Sequence, residues 1–192
     1  MAADTCRGVA AADRVGLVLN TRQSRTTEVS DSVVVAVDPQ TAYERVGDVT
    51  QMGRWSPENT GAVLADPGAP VSAGARFVGS NVRRGFRWQT ECVVTAAEPG
   101  SRFAFAVRKF GIGKPLLPVA IATWEYRFEP VDGGTKVTEI WHDDRAKWPD
   151  AVVSIYDRLV TGKRGFAEFQ RGNIRRTLDR LKSELEAEAT SA

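Results

Sequence analysis

The chain has 192 residues, 42% of them hydrophobic and 26% charged, with a formal net charge of +2. That length suits one domain with a sizeable core, and so small a charge makes no case for nucleic acid as a partner. No stretch approaches the 18 consecutive apolar residues of a membrane span, and residues 1–7 lack the basic start and apolar run of a secretory signal. Two cysteines, Cys6 and Cys92, do not make a disulfide framework, so a reducing cytoplasm is the expected compartment.

Residues 1–25 are small and polar apart from the apolar patch at 15–19. They are expected to form a flexible arm, with a short docking helix as the alternative. Residues 27–37 then turn β-branched, with Val29, Val33, Val35 and Val37 on one face of a strand. Asp38-Pro39 is a helix start, with Asp38 as N-cap and Pro39 in the first turn, and Ala42, Tyr43 and Val46 form its apolar stripe. A second short helix is expected over 49–54, stopping near Trp55-Ser56-Pro57.

From there to residue 142 the pattern is nearly all strand. Residues 61–64 make a short strand, and Phe77, Gly79 and Asn81 share a face of the next. Arg84-Gly85 turns into a strand over 86–96, and Glu98-Pro99-Gly100 turns into one over 101–107. Residues 109–118, rich in glycine, lysine and proline, are expected to be a long loop. A strand over 120–129 follows, then a turn at Asp132-Gly133-Gly134 and a strand over 135–141. Residues 143–150 look like a charged linker. A helical region starts near Pro149, with a possible break at Gly162 or Gly165, and ends about Glu188. The domain is thus expected over 26–188, with a tail at 189–192. Antiparallel strands joined by tight turns, with helices segregated in sequence, give an α+β class in which one long C-terminal helix can cover a sheet face.

Period two places Trp88, Phe103, Phe105, Trp124, Tyr126, Phe128 and Trp141 in sets that share strand faces, and Phe166, Phe169, Ile174, Leu178, Leu181 and Leu185 recur at helical spacing. This aromatic face either fills a core or walls a container. Two polar residues interrupt it: Asn81 follows Phe77 and Gly79, and Glu139 lies between Val137 and Trp141. An ionised, unpaired Glu139 in apolar surroundings would be costly, so it must be paired, hydrated or protonated. Protonated, it could act as a general acid or polarise a carbonyl. His142, the single histidine, falls on the outward face beside Asp143 and Asp144. No second His or Cys stands at ligand spacing, so no His- or Cys-built metal site is expected, and with no phosphate-loop or dinucleotide fingerprint no cofactor is expected either. Cys92 is expected to be a buried, inert thiol. The arginines around the long helix alternate with acids and suggest a solvated face. An anionic membrane surface or an acidic carrier protein is the alternative contact.

The order of elements resembles the helix-grip fold of the START and birch-pollen-allergen superfamily, and within it the bacterial polyketide cyclase/dehydrase-like (SRPBCC) proteins. The matching stretches are Val35-Ala36-Val37-Asp38-Pro39 and Asp48-Val49-Thr50-Gln51-Met52-Gly53-Arg54-Trp55-Ser56-Pro57. Further matches are Gly74-Ala75-Arg76-Phe77-Val78-Gly79-Ser80-Asn81, Glu98-Pro99-Gly100-Ser101-Arg102-Phe103-Ala104-Phe105, and residues 124–141 around Gly133-Gly134-Thr135. The resemblance implies a curved antiparallel sheet of about seven strands wrapped around the C-terminal helix, with two short helices after the first strand and a deep cavity between sheet and helix.

A small hydrophobic or aromatic molecule, polyketide- or lipid-like, is then the expected partner. Trp55, Phe77, Asn81, Trp88, Phe105, Trp124, Tyr126, Glu139 and Trp141 are the candidate contacts on the sheet side. Phe166, Phe169 and Asn173 are those on the helix. The loop at 109–118 and the Trp55-Ser56-Pro57 region would form the entrance. The alternative is a cyclase or dehydratase with Glu139 and Tyr126 as its acid/base groups. No integral membrane association is expected, and monomer and homodimer both stay open.

Overall fold

The computed structural model describes residues 25–162 and 165–191. The expected arm therefore lies outside the described residues except for Arg25. Strand β1 (Glu28–Val35) leads into helix α1 (Pro39–Gly47) and a 3-10 helix at Val49–Arg54. Asp38 caps α1 as its composition dictates, its carboxylate accepting from the Gln40 and Thr41 backbone amides. Asp48 does the same for the 3-10 helix through the Thr50 amide.

The sheet then builds from β2 (Asn59–Leu64), β3 (Arg76–Arg83), β4 (Phe86–Glu98), β5 (Arg102–Gly111), β6 (Leu117–Pro118), β7 (Ala122–Val131) and β8 (Gly134–Asp143). It is antiparallel, in the order β1-β8-β7-β5-β4-β3-β2, with β6 paired to β5. The β3–β4 hairpin closes through Arg84 (φ 49°) and Gly85 (φ 83°), the two positive φ values of a type I′ turn. Irregular registers at Glu91/Cys92 and Val94/Ala96 along β4–β5 bend the sheet. The β7–β8 turn packs tightly: a Cβ on Gly134 (φ 145°) would stand 2.0 Å from the Val35 carbonyl oxygen.

Helix α2 (Asp150–Thr161) ends on Gly162, whose φ of 79° takes the chain out of the helix. Helix α3 (Phe166–Ser191) runs past the expected end near Glu188. Ile174, Leu178, Leu181 and Leu185 are buried along its inner stripe, and Lys182 reaches over edge strand β1 to the Val34 carbonyl at 2.7 Å. The result is the α+β architecture expected from the order of elements, a curved sheet closed by one long helix.

Two local readings change. Residues 109–118 are not simply a loop, because β5 continues to Gly111 and Leu117 and Pro118 pair back onto Phe110 and Lys109. Gly111 permits the fold-back: any Cβ there would meet the Lys114 carbonyl oxygen at 1.8 Å. Residues 143–150 are not simply a charged linker either, because Asp143 and Arg145 are buried. Arg145 is fully buried, with its guanidinium on Asp143 (Nε–Oδ1 2.8 Å) and Asp157 (Nη1–Oδ1 2.6 Å) and its cationic face 4.6 Å from the Phe166 ring. Burial opposes the charge, but the two carboxylates outweigh it and hold the guanidinium pKa above its ordinary value. This ion cluster ties the end of β8 to α2.

Candidate functional site

Between the sheet and the N-terminal half of α3 lies a cavity of about 1340 Å³. Its existence follows from a change in the helix's inner stripe. The C-terminal half presents leucines that fill the space to the sheet. The N-terminal half presents Gln170, Asn173 and Thr177, spaced three and four apart, all buried yet too short and too polar to fill it. Phe166 and Phe169 flank that polar stripe. Opposite stand Phe77, Trp88, Phe105, Trp124 and Tyr126 of the sheet.

Deepest in chemical interest are Glu139 and Tyr126, directly opposite each other in the β7–β8 register. Side chains of opposed residues on one sheet face lie within reach, and the Tyr126 hydroxyl donates to Glu139 Oε1 at 2.8 Å. Glu139 is only 2% exposed, and its second oxygen, Oε2, is buried with no hydrogen-bond partner. Burial pushes the carboxyl pKa up to about 8, against the smaller opposing effect of the Tyr126 hydrogen bond. Tyr126 itself is pushed well above its ordinary value, by burial first and by the neighbouring carboxyl second. At neutral pH the pair is therefore held mostly uncharged. In that form Oε1 accepts from tyrosine and a proton on Oε2 is available to a hydrogen-bond acceptor in the cavity.

A second polar group sits where β2, β3 and β4 meet the cavity. Asn81 donates to the Gly79 carbonyl and the Thr90 hydroxyl at 3.3 and 3.4 Å, and accepts from Asn59 at 3.5 Å. Nearby, Arg83 lies 3.2 Å from Glu58 and spreads its cationic face over Phe169 at 4.5 Å. Arg176 donates to Asn173 from the helix side. Burial raises the Glu58 pKa, with Arg83, Asn173 and Arg176 pulling the other way. These residues line the same cavity as Asn81.

The structure thus brings Phe77, Asn81, Trp88, Phe105, Trp124, Tyr126, Glu139, Phe166, Phe169 and Asn173 to the lining of one cavity. It places Trp55 and Trp141 elsewhere, at 1% and 0% exposure in the packed core. Trp141 shares the inward face of β8 but is covered by Phe166, with ring centroids 5.5 Å apart. Trp55 is sealed where the first 3-10 helix ends. Phe103 and Phe128 also point inward, yet they pack edge-on against Tyr43 beneath α1 and fill that end of the sheet. Of the expected entrance, Ser56, Pro57 and Phe110 reach the cavity. Cys92 also faces it, buried, with its thiol pushed up to about 12 by desolvation. His142 faces outward, 3.3 Å from Glu28.

Sequence reasoning missed Gln170 and Thr177, although their spacing with Asn173 was a readable signal. It also missed Glu58, which no periodicity marks because it precedes β2. Among the described residues, no group of three or more His, Cys, Asp or Glu side chains is placed to hold a metal. No described helix is long and apolar enough to cross a membrane.

Residues 26–186 match the model of a protein family described as polyketide cyclase / dehydrase and lipid transport. Among solved structures, the chain is similar to the Polyketide_cyc-like protein Cgl2372 from Corynebacterium glutamicum, at 26% identity and a TM-score of 0.52, covering 84% of this chain and 93% of that one. It is similar in fold to a START superfamily protein from Mycobacterium smegmatis, at 12% identity and a TM-score of 0.59, over 84% and 98% of the two chains. The di-domain ARO/CYC BexL from the BE-7585A biosynthetic pathway matches at 18% identity and a TM-score of 0.56, over 83% of this chain and 50% of that one. Among curated proteins, none matches the chain.

Proposed function

The chain belongs to the polyketide cyclase / dehydrase and lipid transport family, and on that premise we propose that it binds a small hydrophobic or aromatic molecule, polyketide- or lipid-like, between the sheet and α3. The observation that carries this reading is the Glu139–Tyr126 pair, buried on the wall of a cavity of about 1340 Å³ with Glu139 Oε2 unpartnered. A buried polar atom without a partner costs on the order of 1–3 kcal/mol, and a ligand carbonyl or hydroxyl oxygen at Oε2 would recover that cost. Phe105, Trp124, Trp88 and Phe169 supply the apolar and aromatic surface that removes the rest of the ligand from water. Asn81 and Asn173 stand on the cavity lining, where a second polar ligand group would exchange for one of their present hydrogen bonds.

Native mass spectrometry of the full chain, purified without detergent and then incubated with a mixture of aromatic polyketides and fatty acids, tests this. The expected result is a one-to-one complex with a hydrophobic member of the mixture. A chain that carries nothing from expression and takes up nothing from the mixture would sink the proposal.

A second reading, catalysis of cyclisation or dehydration, is favoured by the same carboxyl. An acid whose pKa is raised to about 8 keeps a transferable proton at neutral pH, as general-acid assistance to aldol closure or water loss requires. Glu139→Gln should then abolish turnover while ligand affinity is largely kept. An unchanged rate with the variant would remove Glu139 from the chemistry.

A further inference from the structure

One end of the molecule exposes large apolar side chains that folding leaves unused. On α2, Val152, Ile155 and Leu159 recur at spacings of three and four and are 47%, 62% and 80% exposed, while Val153 alone is buried. Ile112, Leu116 and Leu117 in the β5–β7 connection are 74%, 77% and 58% exposed, and Phe86 at the β3–β4 turn is 52% exposed. The register brings these elements to the same end. Gly111 pairs with Gln89, three residues from Phe86, and Leu117 pairs with Phe110. The side chains of Phe86, Phe110 and Leu159 line the cavity, so the β3–β4 turn, the end of β5 that Leu117 pairs with and α2 all border it.

Cations are set among them. Arg84, Arg87, Lys114, Lys147 and Arg158 are exposed and make no ion pair among the described residues. The acids nearby are mostly committed: Asp157 to Arg145, and Asp144 to Thr123 at 2.7 Å. Asp150 and Glu168 are the exposed acids of this region that make no ion pair among the described residues. An exposed apolar cluster of this extent marks an interaction surface. Its charge rejects a second copy of itself, since two such faces would juxtapose like charges. Its shape decides the rest. The exposed apolar side chains come from three separate segments, α2, the β5–β7 connection and the β3–β4 turn, with the cations interleaved, and a mixed face spread over several segments suits a partner that deforms around it.

We propose that this end of the protein docks on an anionic lipid bilayer, with Ile112, Leu116, Leu117, Ile155 and Leu159 entering the headgroup region and the surrounding arginines and lysines on lipid phosphates. Shallow insertion of apolar side chains ringed by cations is the physical signature of interfacial binding. The docked orientation turns the cavity mouth toward the lipid, so a poorly soluble ligand passes between membrane and cavity without crossing water. Shallow interfacial insertion of this kind is a reversible attachment.

Co-sedimentation of the full chain with vesicles tests the proposal. Vesicles of phosphatidylglycerol and phosphatidylcholine in about equal parts should pellet the protein at about 0.1 M salt, and vesicles of phosphatidylcholine alone should not. Leu116→Asp with Ile155→Asp should lower partitioning by at least about tenfold. Arg87→Glu with Lys114→Glu should do the same through charge. All four positions are exposed, and circular dichroism confirms that each variant is folded. Wild-type protein that stays in solution with anionic vesicles overturns the proposal, whether it then dimerises or captures an acidic protein instead. So does an apolar-face variant that sediments as well as wild type.

Discussion

Replacing Glu139 by glutamine should make the protein more stable relative to wild type as pH rises, and the size of the effect follows from burial. The folded carboxyl titrates at about 8 and the unfolded one near its ordinary 4.5. Between those values the folded chain keeps a proton that the unfolded chain has lost, so folding stability falls with rising pH. The contribution of the neutral carboxyl is fully present below about pH 4.5 and is lost as pH climbs through about 8. Each unit is worth about 1.4 kcal/mol, which over this window gives about 5 kcal/mol as an upper bound, reduced by any water that enters the cavity to solvate the charge. Glutamine keeps the shape and the oxygen that accepts from Tyr126 but carries no titrating proton. Urea unfolding of both proteins at pH 5, 6, 7 and 8 measures the difference, and all other titrating groups cancel in it. The gap should swing by at least about 2 kcal/mol in favour of the variant between pH 5 and 8. Parallel stability curves would show that Glu139 ionises freely in the fold and would refute the buried neutral pair.

Arg145→Met should cost about 3–5 kcal/mol, because it takes the buried guanidinium from the buried carboxylate of Asp143 and breaks the tie to Asp157; a melting temperature lowered by roughly 10 °C is expected, and an unchanged one would contradict the cluster's role. Gly134→Ala should destabilise by about 2–5 kcal/mol, since its Cβ would collide with the Val35 carbonyl at a φ of 145°, as thermal unfolding would show. In a Cys6→Ser background, Cys92 should react with a thiol reagent only as fast as the protein opens, given a thiol held near 12; rapid labelling of the native protein would place it in open solvent.

Strand periodicity carried the site reading furthest where one residue's face was the whole question. Asn81 and Glu139 were legible because a polar residue at inward parity needs an explanation wherever the strand sits. Parity does not report depth along a strand. That is why Trp141, inward like Glu139, lies under Phe166 in the core, and why Phe103 and Phe128 serve α1 instead of the cavity. Arg145 was illegible for a different reason. Its partner Asp157 is twelve residues away on a helix whose placement the linker composition does not encode, so a buried ion cluster looked like a charged linker. The cavity itself was legible only through the family resemblance, although the Gln170, Asn173 and Thr177 stripe recorded it in the helix.

The space between sheet and α3 should receive a ligand. Titration with the neutral fluorescent probe N-phenyl-1-naphthylamine tests it most directly, comparing wild type with Val107→Trp, whose side chain would project from β5 into the cavity beside Cys92. Saturable one-to-one binding by wild type, weakened at least about tenfold in a variant of unchanged circular dichroism, is the predicted result. Absence of saturable binding, or equal affinity in the occluded variant, would contradict the account.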